Sequence, residues 1–244
     1  MQDHKILTLI RLLKTLVYLL TLPWSNKMEM GCLHRFRFHL LKVLNRNIYQ
    51  TKSKLMYLFF DTETTGLPRN WKAPVTDLNN WPRMIQIAWI FCDEKGNRIE
   101  SDDFIIKPEN YTIPSEASKI HGISTKKAMS EGAELENVLV KFNSLVEQAD
   151  FIVAHNISFD EKIIGAELLR KNIRSNFERK GKLCTMKAST DYCKLPGPYG
   201  YKWPKLSELH IKLFGVDFDE AHDASVDINA SEKCFWEMRR LKLI

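Results

Sequence analysis

The 244-residue chain is short of organised cysteine. Cys32, Cys92, Cys184, Cys193 and Cys234 form no C-x-x-C pair and no cluster with histidine at zinc spacing. That leaves nothing from which to build a thiolate metal centre or a disulfide framework. Odd, dispersed thiols fit a reducing, cytoplasmic setting. The chain also lacks an apolar run of the roughly 20 residues a membrane span needs. Its best candidate, Ile6 to Leu22, is interrupted by Arg11 and Lys14 and closed by Pro23. No small-residue cleavage site follows Leu22, as a secretory signal would require. Internal repeats and low-complexity tracts are absent too, so the length suggests one ordinary domain with an appendage.

What is present divides unevenly. Ten of the 36 Lys/Arg but only two of the 30 Asp/Glu lie in residues 1–54, leaving 26 basic against 28 acidic residues beyond. The net charge of +6 and the pI near 9.0 therefore belong to the leading segment. We expect residues 1–54 to be a basic, partly apolar leader, either accessory, disordered or an overlong reading frame ahead of a start at Met56. Its basic and aromatic run His34 to His39 suits an anionic surface. Residues 55–244 form the expected folded domain, with 44% apolar composition over the whole chain sufficient for a core.

Hydrophobic spacing gives the coarse architecture. Leu55–Phe60 reads as a buried central strand broken from Thr62 to Gly66, followed by a long polar loop from Pro68 to Pro82. Met84–Phe91 and Arg98–Lys107 are strands joined by a turn at Asp93-Glu-Lys-Gly96-Asn. Helices are expected at Ser118–Ile123, Ala133–Gln148, Ser158–Arg170, Lys205–Phe214 and Ala221–Arg240. A fourth strand is expected at Phe151–Ala154 and a short fifth around Leu183–Met186. A meander followed by alternating helices and strands implies an α/β fold with one mixed sheet flanked by helices.

Three acidic motifs stand out. Asp61 and Glu63 lie two apart at a strand end, so alternation turns both carboxylates to one face. Held so close, they repel, and hard divalent cations such as Mg²⁺ or Mn²⁺ would relieve the repulsion. Asp160 closes His155-Asn156-Ile-Ser-Phe-Asp in the first turn of a helix after the fourth strand, at the crevice usual in α/β folds. Phe159 beside it reads as core packing. Asp227 follows His222 by five residues, and a neutral imidazole there is a suitable general base toward an attacking water. Asp219, Glu220 and Asp223 read as solvated loop charges.

Phe-Phe-Asp61-Thr-Glu63-Thr-Thr-Gly-Leu-Pro, His155-Asn-Ile-Ser-Phe-Asp160 and His222-Asp-Ala-Ser-Val-Asp227 resemble the three motifs of the DEDDh 3′-to-5′ exonuclease family. Ile120-His-Gly-Ile123 and Trp203-Pro-Lys-Leu-Ser-Glu-Leu209 resemble its epsilon-like branch, named for the proofreading subunit of bacterial DNA polymerase III. The resemblance runs from about Met56 to Arg240 and fills all five defining positions. It implies a ribonuclease H-like fold with a five-stranded sheet, two divalent cations, and release of nucleoside monophosphates from a DNA 3′ end, single-stranded DNA foremost. It implies further that Asp61 would bridge both ions, Glu63 and Asp227 would complete one site, Asp160 would serve the other, and His222 would deprotonate the nucleophilic water. Thr64, Thr65, Gly66, Leu67, His155 and Asn156 would line the substrate, with Leu67 wedged against the terminal base. Association with a DNA polymerase would be in keeping, although no polymerase-binding segment is evident. An RNA or oligoribonucleotide substrate remains open, since motifs alone do not reveal contacts to the 2′ position. So does a non-catalytic nucleic-acid or partner-binding module, favoured only by the basic leader.

Overall fold

The computed structural model describes residues 54–218 and 223–244. Of the leader only Lys54 is among them, and His222, Asp219 and Glu220 also lie outside the described residues. No helix among those described is long and apolar enough to cross a membrane.

The meander is built from β1 (Met56–Thr64), β2 (Met84–Asp93) and β3 (Arg98–Ile105), paired antiparallel. The strands β4 (Phe151–Ala154) and β5 (Gly181–Cys184) then add parallel to β1 on its other side. The resulting order β3-β2-β1-β4-β5 is the expected mixed five-stranded sheet. All ten residues of β2 are buried, which explains why its sequence is a continuous apolar run instead of an alternating one.

β1 is longer than expected. The strand does not break at Thr62, because its ladder with β2 continues through Asp61↔Ala88, Thr62↔Ile87 and Glu63↔Gln86 before an irregularity between Glu63 and Thr64. Backbone pairing outweighs the low strand propensity of two acids there.

Between β3 and β4 run α1 (Ser115–His121), α2 (Thr125–Glu131) and α3 (Leu135–Gln148). α1 starts three residues before its expected position, directly after Pro114. α2 was not anticipated: it buries only Ala128, so it carries no apolar stripe. Its readable signal is the cap, where the Ser124 hydroxyl accepts from the Lys127 amide. α4 (Ile157–Arg170) follows β4, two single-turn helices α5 (Thr185–Ala188) and α6 (Thr190–Cys193) follow β5, and α7 (Leu206–Phe214) and α8 (Ala224–Arg240) complete the chain.

Alternation along β1 divides the core into two layers. Leu58 and Phe60 pack with Trp89, Phe142 of α3 and Ile163 of α4. Tyr57 and Phe59 pack on the opposite side with Ala224, Ile228 and Phe235 of α8. Phe59 and Phe60 are fully buried, and such a side chain contributes about 1.5–3 kcal/mol. The same alternation carried two residues further decides where the acids point.

Candidate active site

Asp61 and Glu63 share the parity of Tyr57 and Phe59, so they face the α8 layer. There they meet Asp227, which lies in the first turn of α8. One carboxylate oxygen from each of the three lies within 4.8 Å of the others. Thr62 has the opposite parity and faces the α4 layer, where its hydroxyl donates to Asp160 Oδ1 at 2.7 Å. Asp160 is almost wholly buried, at 3% exposure. Strand β1 therefore carries the site at its tip, with three carboxylates on one side and Asp160 reaching in from the helix on the other.

These acids interact strongly. Burial, then the charges of Asp160, Asp227 and Glu63, pushes Asp61 well above the usual carboxylate range. Burial followed by Asp227, Asp160 and Asp223 raises Glu63 from an ordinary 4.5 to about 8. Burial raises Asp160 to about 7, although hydrogen bonds from Thr62 oppose the rise. Without a counter-ion such a group holds protons; a divalent cation displaces them. An all-oxygen donor set of clustered carboxylates fits a hard cation.

This has a consequence for stability. Because Glu63 binds its proton more tightly when folded than when unfolded, the metal-free protein loses stability as pH rises from about 4.5 toward about 8. A divalent cation that binds only the folded state reverses the loss, most strongly at the alkaline end. Thermal melts at several pH values, in chelator and in Mn²⁺, check this. A midpoint independent of both pH and metal would contradict it.

α8 is fixed at its start by a cap. Asp223 is not a free loop charge: its carboxylate accepts from the Ser225 amide at 2.8 Å and from the Ser225 hydroxyl at 2.6 Å. Gln86, opposite Glu63 in the register, accepts weakly from the Ala224 amide and donates to Asp103 at 2.9 Å. Gln86 and Asp223 thereby seat the helix that delivers Asp227. Their signal in the sequence was slight: a polar residue inside an apolar strand and an Asp-x-Ser at a helix start.

The turn after β1 is held by its own polar groups. The Thr64 hydroxyl donates to the Gly66 carbonyl at 2.7 Å, and Thr65 exchanges hydrogen bonds with the backbone of Arg83. Gly66 has φ of +144°, a conformation side chains rarely tolerate, and Leu67 beyond it is 72% exposed. The other substrate candidates have internal partners. His155 Nε2 faces the Pro204 carbonyl at 3.0 Å and Nδ1 faces the Thr185 hydroxyl at 2.9 Å. A carbonyl only accepts, so Nε2 carries the proton and, in the neutral ring, Nδ1 accepts from Thr185. Burial holds this imidazole neutral, pushing its pKa down to about 4. Asn156 takes the left-handed conformation at the start of α4, and its side chain accepts from the Ser158 hydroxyl at 3.0 Å. Phe159 packs against the core as expected, but it also meets the half-exposed Trp71 ring at 5.7 Å.

The class to which this sheet and its clustered acids belong is given by the family comparison. The family model of RNase T type, described as an exonuclease, matches residues 58–235, and the chain belongs to that family, with the DEDDh motif set. It is 30% identical over 188 residues to the PolC-type DNA polymerase III of Mycoplasmopsis pulmonis (strain UAB CTIP), covering 76% of this chain and 12% of that protein. It is 36% identical over 124 residues to the DNA polymerase III epsilon subunit of Buchnera aphidicola subsp. Schizaphis graminum, covering 49% of this chain and 50% of that one. Among solved structures, E. coli exonuclease I in complex with a dA16 oligonucleotide aligns with a TM-score of 0.61. The identity is 23%, over 78% of this chain and 42% of that one, a likeness of fold. The chain thus spans half or less of the length of these relatives.

Proposed function

We propose that the protein is a metal-dependent 3′-to-5′ exonuclease that shortens DNA, single strands foremost, to nucleoside monophosphates. The observation that carries this reading is the convergence of Asp61, Glu63 and Asp227 oxygens within 4.8 Å in a chain of the exonuclease family. The relatives' names support DNA as substrate, because two are DNA polymerase III components and one was solved with a deoxyoligonucleotide. They also support a polymerase as partner.

Asp61, Glu63 and Asp227 would hold one Mg²⁺ or Mn²⁺, and Asp160, fixed by Thr62, would serve a second together with Asp61. Two such ions, when bound, stabilise the charge that develops on the attacking and leaving oxygens of an in-line displacement. The chain's own residues do the rest. His222 takes the proton from the attacking water. Thr64, Thr65 and Gly66 shape the turn beside the terminal nucleotide, and exposed Leu67 packs on its base. His155 and Asn156 support this from behind by fixing the β4–α4 junction. The described cysteines are all free thiols, in keeping with a cytoplasmic location.

The test is release of mononucleotides from 5′-labelled single-stranded DNA in Mg²⁺, with RNA of the same sequence alongside. No release from DNA, or faster release from RNA, overturns the reading. Replacing His222 by Ala is expected to slow turnover about 10²–10⁴-fold, the contribution of a positioned base, without loss of metal binding. Unchanged turnover would remove His222 from its role.

A further inference from the structure

Between the site's parallel strands and α7 the chain forms a small hairpin that the chemistry above does not use. Its strands, β6 (Pro196–Gly197) and β7 (Gly200–Tyr201), flank a turn at Pro198-Tyr199. Three aromatic side chains project from it or just beyond it. Tyr199 is fully exposed, and Tyr201 and Trp203 are 51% and 62% exposed. Residues 197–203 line an open concavity of about 450 Å³. A contiguous exposed apolar patch, unlike a single exposed ring, marks an interaction site.

The charge around these rings has one dominant sign. Residues 185–205 contain Lys187, Lys194, Lys202 and Lys205 against Asp191 alone, in a domain that as a whole holds 26 basic and 28 acidic residues. Lys187 Nζ sits 5.9 Å from the centre of the Trp203 ring. Lys202 pairs with Glu208 of α7 at 2.5 Å, whereas Lys187, Lys194 and Lys205 make no ion pair among the described residues. Exposed rings flanked by lysines match a strand of stacked bases on a phosphate backbone.

The hairpin is also tied to the active site. Pro204, next to Trp203, gives its carbonyl to His155 Nε2 at 3.0 Å, and Thr185 bonds the other ring nitrogen. His155 follows β4, whose last residue Ala154 pairs with Cys184 at the end of β5. Because β1, β4 and β5 are parallel, these ends share the sheet edge that carries Asp61 and Glu63.

We propose that the Tyr199–Tyr201–Trp203 hairpin, with Lys187, is a binding surface for the single-stranded nucleic acid that leads away from the active site. It stacks bases on the 5′ side of the scissile bond and reads no sequence. The inference rests on the exonuclease reading for its orientation but has its own binding readout. The full chain, held in chelator so that nothing is cleaved, is titrated into a 5′-fluorescein oligothymidylate of about 20 nucleotides, a length exceeding one aromatic platform's reach. Tyr199→Ala with Trp203→Ala is expected to weaken binding about 30-fold or more, for two lost base–aromatic stacks, and Trp203→Phe alone to keep most of it. In Mg²⁺ the same double variant raises KM for the 20-mer by a like factor while kcat stays within about twofold. Binding and KM equal to the parent's overturn the proposal. Hairpin-dependent binding in a parent that releases no nucleotide would sink the exonuclease reading and leave the binding surface standing.

Discussion

Replacing Asp61 by Asn is expected to cut nucleotide release by about 10³-fold or more and, in the same protein, to raise the melting temperature in chelator. The activity loss follows from position. Asp61 shares its face of β1 with Glu63, lies within ligand distance of Asp227, and feels the charge of Asp160 as well. Cation stabilisation of transition-state charge is worth several kcal/mol, and each 1.36 kcal/mol is tenfold in rate. The gain in stability follows from the same crowding. Burial and three neighbouring acids all oppose ionisation of Asp61, so an isosteric neutral amide relieves repulsion that the metal-free fold otherwise bears. The gain is expected to grow as pH rises above the ordinary carboxylate range and to vanish in acid, where the carboxylates are protonated in the folded and unfolded states of both proteins. Paired activity and melting measurements check it. A variant that loses stability along with activity would mark Asp61 as a structural residue.

Glu167 is expected to be the most sensitive position for stability outside the hydrophobic core. It lies on α4, fully buried, and its Oε1 accepts from Arg83 Nε and the Met84 amide, both at 2.9 Å, with Arg170 Nη1 at 3.0 Å. Arg170 in turn donates to the Leu78 and Trp81 carbonyls at 2.6 and 2.8 Å. One carboxylate thus joins α4 to the start of β2 and to the end of the long loop between β1 and β2. Glu167→Ala leaves the Arg170 guanidinium without its acid, Arg83 with only Glu109 at 4.0 Å, and a buried amide without an acceptor. Breaking a buried pair from one side costs about 3–5 kcal/mol. At about 2–4 °C per kcal/mol for a domain of this size, the melting temperature falls by about 6–20 °C. Glu167→Gln keeps an acceptor oxygen and should lose less. Denaturant unfolding measures both, and a cost for the alanine variant under about 1 kcal/mol would show that the network carries little.

Glu167 also illustrates what local pattern conceals. In the sequence it is one more acid on a helix of mixed character, and its partners Arg83 and Met84 lie more than 80 residues away. Nothing in its neighbours distinguishes it from a solvated charge. Asp223 was hidden differently. Among the acids preceding the last helix it read as a loop charge, and only the Ser225 contacts reveal a cap. His155 stood within a motif and suggested a substrate contact, yet both its ring nitrogens are engaged inside the protein. By contrast β2, β4 and the hairpin between β2 and β3 were readable almost to the residue. Full burial makes a continuous apolar run, and the turn at Asp93 carries its own hydrogen bonds to Lys95 and Asn97.

The order of the five sheet strands and the longer helices, the pairing of Asp61 with Glu63 on one face, and membership of a DEDDh-like pattern were set by the sequence itself, because periodicity and motif spacing act over a few residues. Which acids meet, and from which layer, was decided by the tertiary structure. The parity of β1 sends Asp61 and Glu63 toward α8 and Thr62 toward α4, so Asp227 joins the first pair while Asp160 is held by the threonine between them. That arrangement depends on two helices from distant parts of the chain packing on opposite faces of one strand, and no local spacing encodes it.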